Sequence, residues 1–98
     1  MKKKYYYEKH GLFIEDIKIG QYANFEKKIT EDDVKIFAEI TGDNNPVHLD
    51  EEFAKESLFK KRIAHGFLSG SLISTVIATK LPGPGSIYLS QSLNFLAP

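Results

Sequence analysis

The chain has no cysteine, no tryptophan and no excess of either charge. Without thiols, a disulfide scaffold, a thiolate nucleophile and every zinc site built on sulfur are excluded, so packing alone must hold the fold. Thirteen lysines and arginines balance thirteen aspartates and glutamates. No global field then draws in nucleic acid or an anionic membrane surface, and any recognition must be local. Lys2, Lys3, Lys4 and Lys9 surround Tyr5, Tyr6 and Tyr7, but no apolar run follows that could act as a signal or a membrane span. The expectation is a solvated tail over about 1–12 on a cytoplasmic protein that binds neither nucleic acid nor membrane. With 98 residues, 42% of them hydrophobic, the rest reads as one domain, 1–98, with a single core.

Helical signals come first. Thr30 has the chemistry of an N-cap, with Asp33 three residues on in a variant of the capping box and Glu31, Asp32 and Asp33 opposing the helix dipole. Val34, Phe37, Ala38 and Thr41 share one face, and Gly42 is the expected stop. Asp50 is the expected cap of a shorter helix through Lys55. From Gly66 to Thr79 no residue carries a formal charge. Phe67, Leu68, Leu72, Ile73, Val76 and Ile77 occupy more than one side of that helix, which at roughly 20 Å is too short to cross a bilayer comfortably. Its expected place is the centre of a soluble core.

Two segments read as strands. Tyr22 to Ile29 suits a half-exposed strand after a Gly20 turn. Ser86 to Phe95 alternates, with Ile87, Leu89, Gln91, Leu93 and Phe95 on the face expected to lie on the buried helix. Gln91 in that row needs partners, so it either braces a loop or lines a polar pocket. Two strands cannot wrap a helix on several sides, so either strands are missing or another subunit supplies them.

Chemistry-bearing residues concentrate between Thr41 and Asp50. Asn45-Pro46 predicts a tight turn that swings Asp43 and His48 towards one point. A carboxylate beside an imidazole handles protons, because imidazole exchanges a proton close to neutrality. The same spacing also suits an Asx turn at Asp43 with a surface histidine. His65-Gly66 opens the uncharged helix, where free amides and the positive dipole end suit an oxygen gathering negative charge, and a glycine lets a ligand come close. His65 also suits a buried structural histidine. Asp43, His48, Asp50 and His65 have the residue types for a metal, but no His pair at helical spacing orders them, and no metal is expected.

Taken together, the stretch Phe37-Ala38-Glu39-Ile40-Thr41-Gly42-Asp43-Asn44-Asn45-Pro46-Val47-His48-Leu49-Asp50, followed by Arg62-Ile63-Ala64-His65-Gly66, resembles the MaoC-like (R)-specific enoyl-CoA hydratase family. The resemblance continues through Leu81 to Leu89 and Gln91 to Phe95, from about Gly20 to the end of the chain. It implies an α+β hot-dog fold, a long central helix wrapped by an antiparallel β-sheet, assembled as a homodimer or higher homo-oligomer. It implies hydration of a trans-2-enoyl thioester of coenzyme A, or of acyl-carrier protein, to the (R)-3-hydroxyacyl thioester, or the reverse dehydration, without a cofactor. Asp43 and His48 match the family's catalytic pair, and Gly66 matches the glycine whose amide holds the thioester oxygen. Asn45 matches the asparagine of the catalytic loop and Ser74 a serine of the central helix. With Gln91 and His65, these complete the expected substrate-contacting set. The family's last strands, beyond Phe95, have no counterpart here. The alternative expectation is therefore a non-catalytic module that binds acyl thioesters and is completed by a partner chain.

Overall fold

The structure is a computed structural model that describes residues 10–98, so the Lys/Tyr-rich start lies outside the described residues. Among the described residues a short 3₁₀ turn at Ile14–Asp16 precedes four α-helices: α1 (Glu31–Thr41), α2 (Pro46–Leu49), α3 (Glu51–Lys55) and α4 (Gly66–Thr79). They fall into two compact units, one formed by the chain up to Glu26 with Ser71–Ser92, the other by Lys27–Gly70 with Leu93–Pro98.

In the second unit, α1 begins where the polar residues demand. The Thr30 hydroxyl accepts from the Asp33 amide at 3.2 Å and the Asp33 carboxylate accepts from the Thr30 amide at 2.9 Å, a complete capping box. The Thr30 amide, helped by the Lys27 ammonium 3.0 Å away, holds the Asp33 carboxyl below its ordinary value. Its folded pKa thus lies under its unfolded one. The ionised carboxylate therefore supports the helix at neutral pH, and this support fades as pH falls through the folded value. Thr30→Ala is expected to lower stability by about 1 kcal/mol in urea titration at pH 7. Gly42 ends α1 at φ +79°, a conformation glycine adopts freely, and donates to the Ala38 carbonyl at 2.8 Å.

The expected turn at Asn45-Pro46 is instead the start of a one-turn helix. The Asn45 side chain accepts from the Val47 amide at 3.1 Å, and Pro46 takes the first helical position, where a missing N–H is no loss. Asp50 then caps α3 by accepting from the Phe53 amide at 3.1 Å. After α3 the chain doubles back, and the Ile63 amide donates to the Val47 carbonyl at 3.3 Å, laying Arg62–His65 along α2. Ala38, Ala54 and His65 are the buried side chains among the described residues.

Two expectations find no counterpart among the described residues. No described residue belongs to a strand: neither Tyr22 to Ile29 nor Ser86 to Phe95 has a ladder partner, and without inter-strand hydrogen bonds a patterned segment is not a strand. The α+β sheet is thus not formed among the described residues. For the same reason α4 is not buried. None of its residues reaches full burial, and Phe67 and Ile73 are exposed. The alternating row divides accordingly. Ile87 and Leu89 face solvent, whereas Leu93 and Phe95 lie against Gly70 and Gly66 of α4.

In the first unit, Gly11 and Leu12, expected in the tail, are fixed. Leu12 donates to the Pro82 carbonyl at 2.8 Å. Gly11 sits at φ +71°, where a side chain would meet the Pro84 carbonyl oxygen at 2.5 Å.

Candidate active site

Asp43, His48 and His65 converge within the second unit, each offering a ligand-type atom within 4.8 Å of the others. Asp43 follows the Gly42 stop of α1, His48 rides on α2, and His65 directly precedes α4. Three helix ends thus bring together residues that the sequence separates.

The hydrogen bonds fix both imidazole tautomers. His48 Nδ1 lies 2.8 Å from the Ile63 carbonyl oxygen. A carbonyl only accepts, so Nδ1 carries a proton and in the neutral ring Nε2 is left with a lone pair. His65 is the reverse: its Nε2 donates to the Asp43 backbone carbonyl at 2.9 Å, and its Nδ1 is buried with no partner. The two rings stack at 3.8 Å between centroids, inclined by 30°, and Phe37 packs on His65 at 4.8 Å. The Asp43 side chain is exposed and His48 half-buried, whereas His65 is only 2% exposed.

An open cavity of about 390 Å³ adjoins this cluster, lined by Asp43, His48, His65, Gly66, Phe67 and Phe95 among others. Gly66 is the first residue of α4; the Leu68 and Ser69 amides of its first turn donate to the His65 carbonyl at 3.1 and 3.3 Å, whereas the Gly66 and Phe67 amides lie before any helical acceptor. A Cβ there would come within 2.9 Å of the Phe95 ring. The cavity therefore joins a proton-accepting nitrogen, a carboxylate and a helix N-terminus, with apolar rings along its wall.

Residues 15–98 match the MaoC-like domain family. The chain belongs to this family. It is 53% identical over 87 residues to a 3-hydroxybutyryl-CoA dehydratase of Methylorubrum extorquens, a match covering 89% of this chain and 55% of that protein. It is 52% identical over 86 residues to an (R)-specific enoyl-CoA hydratase of Rhodospirillum rubrum, covering 88% of this chain and 60% of that one. Among solved structures, an (R)-hydratase from Aeromonas caviae superposes with a TM-score of 0.81 at 43% identity, over 85% of this chain and 63% of that chain. These likenesses give the MaoC-like chain the hot-dog fold, although the sheet of that fold has no hydrogen-bonded ladder among the described residues. The chain spans less than two thirds of the length of these relatives.

Of the residues singled out in this MaoC-like sequence, Asp43, His48, His65 and Gly66 line one cavity. Asn45 stands beside them, but its side-chain oxygen is committed to capping α2. Gln91 is exposed, accepts from the Tyr88 hydroxyl and donates to the Ser92 carbonyl at 2.8 Å, a local brace. Ser74 and Gln91 both belong to the first unit. Sequence reasoning had no signal for the Ile63 carbonyl, which is backbone. Phe95 was legible only as one member of an apolar row.

Proposed function

We propose that this chain catalyses (R)-specific hydration of a trans-2-enoyl thioester of coenzyme A, or of acyl-carrier protein, and the reverse dehydration. The observation that carries the reading is the His48 tautomer. With Nδ1–H bonded to the Ile63 carbonyl, Nε2 is left as the acceptor of a ring that clusters with the Asp43 carboxylate and lines one cavity with Gly66 at the α4 N-terminus. A water held by Asp43 and His48 gives one proton to His48 Nε2 as its oxygen bonds to the β-carbon. The π electrons move to the thioester oxygen, and the Gly66 amide and the helix dipole stabilise that enolate. The enolate then collapses and takes the proton from the pair at the α-carbon, so that H and OH have been added and no cofactor is consumed. The names of the relatives support the (R) configuration and the thioester.

The site test is direct. Crotonyl-CoA mixed with this chain should lose its enoyl absorbance and yield only the (R)-3-hydroxybutyryl thioester. Absence of turnover, or an (S) product, overturns the reading. Binding of the thioester without turnover would support the alternative, an acyl-thioester-binding module. The same proposal includes a cytoplasmic working place. Among the described residues, no helix is long and apolar enough to cross a membrane.

The working unit is a homo-oligomer, dimer or higher. The support is the exposure of large apolar side chains, Phe67 and Ile73 on α4 and Ile87, Leu89 and Leu96 beyond it, which a second copy would cover. Light scattering at micromolar concentration is expected to give a mass at least twice 11.1 kDa. A monodisperse monomer that unfolds cooperatively would contradict it.

A further inference from the structure

His65 is the one buried polar side chain among the described residues, and half of its hydrogen-bonding capacity is unused. As an Nε2–H tautomer it leaves a bare Nδ1 lone pair out of reach of water, and a buried acceptor without a partner is destabilising. A phenyl ring would fill the same space against Phe37 without that loss. Packing therefore does not explain an imidazole here, but its Nε2–H does. It donates to the backbone carbonyl of Asp43, while the ring face lies 3.8 Å from the His48 ring. One side chain thus touches both members of the acid-base pair, and it is too buried to offer a substrate much surface.

We propose that His65 is a positioning residue: its Nε2–H fixes the Asp43 backbone and its ring face holds the His48 imidazole in plane for Nε2 to meet the water. The proposal rests on the hydratase reading above for its kinetic consequence, though not for its geometry. His65 reaches the reaction only through Asp43 and His48. Loss of orientation at a reacting pair lowers turnover far more than binding.

The experiment compares this chain with His65→Phe and His65→Gln. Phenylalanine keeps the ring and removes the donor. Glutamine keeps an N–H at similar reach and removes the ring. His65→Phe is expected to lower kcat for crotonyl-CoA by about tenfold to a hundredfold with KM changed less than about twofold, and to keep its melting temperature because the unpaired Nδ1 is gone. His65→Gln should recover part of the lost kcat. Nitrogen-15 spectra of the histidines supply a readout independent of turnover: His48 as the Nδ1–H form and His65 as the Nε2–H form in the unmodified chain, with His48 keeping its Nδ1–H form in His65→Phe, because the Ile63 carbonyl that sets it is untouched. An active chain whose His65→Phe variant retains full kcat overturns the proposal, as does a fall in kcat matched by a fall in melting temperature with no rescue by glutamine. If the unmodified chain hydrates no enoyl thioester, the proposed function fails, and the nitrogen spectra still judge the positioning. If His65→Phe does not fold, the spectrum of the unmodified chain decides, because an Nδ1–H tautomer at His65 rules out donation to Asp43.

Discussion

Asp43→Asn and His48→Gln are each expected to reduce hydration of crotonyl-CoA by about a hundred- to ten-thousand-fold, the range that general acid-base groups contribute. Each change removes a proton acceptor at nearly constant size. Asp43 can lose its charge without loss of the local fold, because the contact that organises this loop comes from its backbone carbonyl, to which His65 donates, and its side chain is exposed. His48→Gln forfeits the 2.8 Å bond to the Ile63 carbonyl as well, so a stability loss of about 1 kcal/mol should accompany the kinetic one. His48→Asn provides the control, since its amide nitrogen falls near the place of Nδ1 and can still donate to Ile63 while offering nothing in the place of Nε2. Steady-state kinetics with circular dichroism melts separate the two effects. Near-normal turnover in either Asp43→Asn or His48→Gln would overturn the assignment of the pair.

The second large effect is expected at Gly66. One oxyanion-type donor is worth about a hundred- to a thousandfold in rate, and Gly66→Val should forfeit most of it by placing branched carbons over the first-turn amide of α4. The fold is expected to survive. The first atom that a new Cβ meets is the Phe95 ring at 2.9 Å, and Phe95 is 56% exposed, so the ring can swing outward. Gly66→Ala, with one carbon fewer, should give a smaller loss. Turnover with crotonyl-CoA, read beside the melting temperature, decides between site and scaffold. A Gly66→Val protein that unfolds, or that folds and retains its rate, removes Gly66 from the proposed oxyanion site.

Local chemistry was legible in the residue order. Thr30 and Asp33 define the start of α1, Gly42 its end, Asp50 the start of α3 and Gly66–Thr79 the extent of α4, because each signal acts within a few residues and needs no distant partner. The family, and the nomination of Asp43, His48 and Gly66, followed from the same short stretches. Tertiary structure decided what depends on neighbours remote in sequence. Tyr22 to Ile29 and Ser86 to Phe95 carry strand-like patterns, yet a strand exists only where another backbone takes up its hydrogen bonds, and among the described residues none does. The uncharged α4 called for burial, but burial requires a covering layer, and none of its residues is fully buried. Asn45, expected in the catalytic loop, caps α2 through its side-chain oxygen, since proline at the first helical position makes a helical turn the favourable continuation. Both imidazole tautomers depend on which carbonyl the chain brings within about 3 Å when Arg62–His65 folds back along α2, and no property of the residues themselves encodes that meeting.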